Sequence, residues 1–103
     1  MDKKEEILKT ALKLFVEFGF HATPTSKIAK EAGVANGTLF HYYKTKDELI
    51  LALYAHTKSR LTEYMYANAS KDESLELVFK SIYTNTIEWA QENKAEFYFI
   101  QQF

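Results

Sequence analysis

At 103 residues the chain has room for one domain, or one and a fraction, and its net charge of −1 lacks the global basicity that marks many nucleic-acid binders. It has no cysteine, which excludes disulfides, thiolate zinc sites and cysteine nucleophiles and fits a reducing cytoplasm. No apolar run approaches the ~20 residues that span a bilayer, and the start, MDKKEE, leads into an amphipathic segment, so the chain reads as soluble and unprocessed.

Residues 3 to 18 have the spacing of a first helix. Ile7, Leu8, Ala11, Leu12, Phe15 and Phe18 recur at three and four, with Lys4, Glu5, Lys9, Lys13 and Glu17 mostly opposite, and Gly19 ends the run. Lys3, Lys4 and Lys9 read either as a phosphate-touching arm or as a solvated face, and the interleaved acids favour the solvated face. Thr23 suits an N-cap and Pro24 the first position of a second helix, where its missing N–H removes nothing. Thr25 and Ser26 follow in its first turn.

In SKIAKEA the apolar positions Ile28, Ala29 and Ala32 keep helical spacing while Lys27, Lys30 and Glu31 face water. Gly33 closes this helix in the left-handed conformation that glycine adopts without steric cost. Asn36-Gly37 then punctuates, and Leu39 with Tyr43 gives a third helix its inner edge. These spacings describe a helix-turn-helix: Ala29 is small where two helices cross, Gly33 turns the chain and Leu39 packs back between them. The outer face of the third helix is then Asn36, Gly37, Phe40 and His41, with Thr38 beside them. Such a face packs poorly but suits a DNA groove, since an amide or imidazole can bond base edges and a threonine methyl can touch thymine. Local charge agrees: from His21 to Lys46 four lysines stand against Glu31, giving +3, whereas from residue 51 onward five basic groups face seven acids.

The segment GVANGTLFHYYKTKDEL, preceded by TSKIAKEA and ALKLFVEFGF, resembles the DNA-binding domain of a TetR-family transcriptional regulator over roughly residues 5 to 55. The resemblance implies that Thr25 and Ser26 approach the DNA backbone, beside a capping role, and that Lys46 contacts it too. Phe40 and Tyr42 fall where the family sets aromatic groups against phosphate or thymine methyls, although either can be core. The full set of implied DNA contacts is Thr25, Ser26, Asn36, Gly37, Thr38, Phe40, His41, Tyr42 and Lys46, with Thr38 and His41 the foremost base readers. The chain departs from the family at Phe40, which lacks the common tyrosine's hydroxyl, and at Ala35, which cannot cap as the usual serine does. Asn36 then either caps the helix or reads a base. Tyr43 stands for a usual phenylalanine, so it is expected in the core with its hydroxyl reaching solvent or a carbonyl.

Thr45-Lys46-Asp47-Glu48 is a capping box that opens a long helix to about Tyr66, striped by Leu49, Ile50, Leu53, Tyr54, Thr57, Leu61, Tyr64 and Met65. Lys46 sits against the dipole there and has no local structural reason, which a phosphate would supply. Asn68-Ala69 breaks the helix, and Ser70 to Glu73 forms a second capping box before a helix lined by Leu75, Val78, Phe79, Ile82, Tyr83, Thr86 and Trp89/Ala90. EFYFIQQF begins a last helix, whose four aromatics from Phe97 to Phe103 want burial that no following element provides. His21, His41 and His56 lack metal-ligand spacing, no nucleophile elbow or phosphate loop occurs, and Glu88, Glu92 and Glu96 read as a solvated face. No enzyme, metal or cofactor is expected.

The expected architecture is all-α: a helix-turn-helix DNA-binding domain over residues 1–46 and an incomplete helical regulatory domain over 47–103. The resemblance implies a cytoplasmic repressor that binds double-stranded DNA at a palindromic operator as a homodimer, and that a small-molecule effector releases. The rival is an all-α interaction module docking a partner through its aromatic C-terminal helices.

Overall fold

Asp2 starts the first helix, its carboxylate accepting the Lys4 amide at 3.1 Å. The computed structural model describes residues 2–67, 69, 71 and 74–102. Among these are six helices: α1 (Lys3–Phe18), α2 (Thr25–Ala32), α3 (Asn36–Tyr42), α4 (Lys46–Ala67), α5 (Leu75–Glu92) and α6 (Lys94–Gln102). The chain is therefore all-α, as expected, in an elongated body of 52 × 24 × 20 Å.

α1 buries Ile7, Leu8, Ala11, Leu14 and Phe15. The expected stripe is corrected at its edges: Leu14 joins it, Leu12 is half-buried, and Phe18 is exposed with Lys27 Nζ 3.8 Å above its ring. Gly19 ends the helix at φ 87°. Thr23 is no cap. Pro24 holds the N-cap position of α2, and the fully buried Thr23 hydroxyl donates to the Gly19 carbonyl at 2.7 Å, with the Leu14 carbonyl at 3.3 Å. It ties the α1–α2 turn back onto the end of α1.

α4 opens with the expected box, in a shifted form. The Glu48 amide donates to Thr45 Oγ1 at 3.1 Å, while the Glu48 carboxylate accepts the amide of Lys44, one residue further back than the usual reciprocal bond. Leu49, Leu53, Thr57 and Leu61 are buried, as the stripe foresees. α5 runs antiparallel to α4, held by the Asn85 amide donating to the Met65 carbonyl at 3.2 Å and by Tyr64 donating to Glu88 at 3.4 Å. The second capping box falls at Ser70, Asp72 and Glu73, outside the described residues.

The stripe expected on α5 divides between two faces. Asn85 and Trp89 are buried and Val78, Ile82 and Thr86 half-buried, whereas Leu75, Phe79 and Tyr83 point outward. A four-residue step drifts around a 3.6-residue helix, so an unbroken aliphatic and aromatic run does not say which side meets α4.

α6 is the larger correction. Its four aromatics were expected to lack cover, yet Phe99 is buried in the same core as Ile7, Leu14, Ile28, Leu39 and Leu49 and Phe97 is half-buried, whereas Tyr98 is exposed as expected and Phe103 lies outside the described residues. Its ring meets Phe20 edge-on at 5.8 Å, and Phe20 meets Phe15 at 5.2 Å. Arg60 and Glu96, 3.5 Å apart, add a link from α4 to α6. One core thus runs continuously through the first four helices and α6.

Candidate nucleic-acid interface

Ile28 and Ala29 bury the inner side of α2, and Gly33 turns the chain at φ 74°, ψ 28°. The Val34 amide reaches back to the Ala29 carbonyl at 3.0 Å and that of Gly33 to Lys30 at 3.2 Å, which closes the helix in the left-handed capping pattern. α3 then leaves from Ala35, which holds the N-cap position without a side-chain bond. Asn36 is the first residue inside α3 and not its N-cap, so the capping role expected as one alternative for it falls away. Leu39 and Tyr43 pack inward as foreseen, with no exposure of Leu39.

Packing Leu39 inward turns Asn36, Gly37, Phe40, His41 and Tyr42 outward, all exposed, with Thr38 half-buried beside them. Phe40 and Tyr42 are 41% and 39% exposed, so neither belongs to the core. The rings of His41 and Tyr42 stand edge to face at 5.4 Å. Gly37 is bare: a Cβ built there meets nothing within 4 Å, and its φ is an ordinary helical one. Glycine inside a helix costs ~0.5–1 kcal/mol against alanine, and no contact within the chain calls for it. Thr25 and Ser26 occupy the first turn of α2, half-buried and exposed.

Lys46 differs from its expectation. Its ammonium donates to the Phe20 carbonyl, so the lysine at the start of α4 has a structural partner in the α1–α2 turn. That partner offsets its position against the helix dipole, which sequence alone left unexplained. An ammonium has three donors, and one such bond leaves two.

Two features had no sequence signal. Thr23 looked like a cap because a hydroxyl before proline suits one, and nothing local marks its bond back across nine residues to Leu14. The Tyr43 hydroxyl is the other: it was expected to reach solvent or a carbonyl, but it is buried without a hydrogen-bond partner. Burial raises its pKa above the usual tyrosine value, and the nearby Asp2 carboxylate adds to the rise. Among the described residues no cluster of His, Cys, Asp or Glu gathers that could hold a metal ion, and no helix is long and apolar enough to cross a membrane.

A left-handed glycine turn between two short helices, with one helix showing polar and aromatic groups outward, defines a helix-turn-helix protein. The family of bacterial regulatory proteins of the tetR type matches residues 7–53. A crystal structure of a putative tetR family transcription regulator from Shewanella sp. PV-4 superposes with a TM-score of 0.98 at 38% identity, over 100% of this chain and 55% of that one. The fatty acid metabolism regulator protein of Bacillus subtilis is 35% identical over 80 residues, 74% of this chain and 41% of its own. The nucleoid occlusion factor SlmA of Haemophilus ducreyi is 30% identical over 93 residues, covering 89% and 46% respectively. The chain belongs to the TetR family of transcriptional regulators and comprises the N-terminal helix-turn-helix domain with part of the helical domain that follows. It spans about half the length of these relatives.

Proposed function

We propose that the protein binds duplex DNA sequence-specifically by laying α3 in the major groove, and that residues 1–46 form the binding unit and 47–103 part of a regulatory one. The observation that carries this reading is Gly37, a bare helical position on an otherwise decorated outer face, where the backbone can come close to a phosphate. Thr38 and His41 read bases, with Asn36 free to join them because it does not cap its helix. Thr25, Ser26, Tyr42 and Lys46 hold phosphates, and Phe40 contributes apolar contact alone.

In the complete protein we assign a cytoplasmic homodimer that represses from a palindromic operator. Two α3 helices then meet half-sites separated by about one helical turn, ~34 Å, or a multiple of it. A small-molecule effector that favours a different tilt of α4 changes that separation and releases the operator.

Salt dependence is the test. Duplex binding by the 103-residue chain, followed by fluorescence anisotropy, is expected at ~10⁻⁴ to 10⁻⁶ M. Log K falls linearly against log salt, with a slope of about −0.9 for each phosphate that a lysine neutralises. Binding that ignores salt contradicts the proposal and favours an apolar docking module.

A further inference from the structure

Phe20 is engaged from two directions at once. Its ring, half-buried, is met edge-on by Phe99 of α6 at 5.8 Å and by Phe15 of α1 at 5.2 Å. Its carbonyl accepts the Lys46 ammonium at the start of α4. Phe99 is 1% exposed, so α6 cannot shift without moving what its ring presses on. Beside the turn lies a cleft of about 350 Å³, lined by Phe18, Gly19 and Phe20 on one side and by Tyr98, Phe99 and Gln102 of α6 on the other. The turn is short and continuous: Thr23 ties it to Gly19, and Pro24 then leads into the first turn of α2.

We infer that Phe20 is a positioning residue for Lys46, through which the placement of α6 sets where one DNA-contacting charge is held. This rests on the DNA-binding reading for Lys46, and it adds a link from the regulatory segment that bypasses the length of α4. With α6 seated, the Phe20 carbonyl fixes one ammonium donor and presents the rest of the group to a phosphate. With α6 displaced, the carbonyl moves and Lys46 becomes an untethered side chain, which must lose rotamer freedom to make the same contact.

The experiment is a double-mutant cycle on the 103-residue chain with a mixed-sequence duplex, combined with NMR of the lysine ε-methylene signals without DNA. Phe99→Leu keeps an apolar group in the core but loses the edge contact, and Phe20→Leu does so while keeping the carbonyl, should the first variant fold poorly. In the wild-type background Phe99→Leu weakens duplex binding, and in the Lys46→Ala background it adds no further loss, a coupling of at least about twofold. In the DNA-free chain the Lys46 signals move in Phe99→Leu while those of Lys30 stay. A merely structural role for Phe99 makes the two losses multiply and leaves Lys46 unmoved, which overturns the inference. A wild-type chain that binds no duplex overturns the DNA-binding reading by itself, and the DNA-free Lys46 signals then decide the Phe20 linkage alone.

Discussion

Replacing Tyr43 with phenylalanine should stabilise the protein, although most point substitutions destabilise by about 1 kcal/mol. The residue is 4% exposed and its hydroxyl has no partner. An unsatisfied buried hydroxyl costs ~1–3 kcal/mol, and phenylalanine removes it while keeping the ring that packs beside Leu39. A net gain of ~1 kcal/mol raises Tm by roughly 4–8 °C in a domain of this size. Urea unfolding should show a higher midpoint at unchanged slope. The pH dependence adds a second signature. Because the folded phenol is held above its ordinary pKa, the unfolded chain loses the Tyr43 proton first as pH rises. The resulting contribution to stability is complete below about pH 10 and is lost as pH climbs through the higher folded value. A phenylalanine ring has no proton to release, so the margin of Tyr43→Phe over wild type should widen in alkali. A variant less stable by ~1 kcal/mol at neutral pH would instead mean that the hydroxyl makes a bond worth keeping.

Thr23→Val keeps the shape of a fully buried side chain but strips the bond to Gly19, so a loss of ~1–3 kcal/mol is expected in thermal unfolding. Gly33→Ala forces a Cβ into the left-handed region at φ 74°, which costs ~1–2 kcal/mol even though space around the site is open. Gly37→Ala separates structure from function: stability should hold or rise by up to ~1 kcal/mol while duplex affinity falls, and an unchanged affinity would remove the reason given for this glycine. Lys46→Ala should weaken binding to every sequence alike and reduce the salt slope by about one, measured by anisotropy across a salt series.

What the sequence made legible is local. The bounds of α1, the left-handed Gly33, the inward pair Leu39 and Tyr43 and the stripe of α4 each follow from spacings within one or two helical turns. Those rules place the outward face of α3 as well, because an inner edge dictates its opposite. What stayed hidden depends on partners distant in sequence. The Phe20 carbonyl lies 26 residues from the lysine it holds, and the core place of Phe99 depends on α6 folding back to α1. For α5 the pattern was apolar on too many sides, so only packing against α4 could separate Trp89 from Phe79.

Whether α3 meets DNA is measured most directly by an NMR titration of the isotope-labelled chain with mixed-sequence duplex DNA at low and moderate salt. Binding through α3 predicts shifts concentrated at Thr25, Ser26, Asn36, Gly37, Thr38, Phe40, His41, Tyr42 and Lys46 that fade as salt rises. If those residues stay still in a folded chain, the helix-turn-helix serves only as scaffold, and the claim that this face reads DNA is wrong.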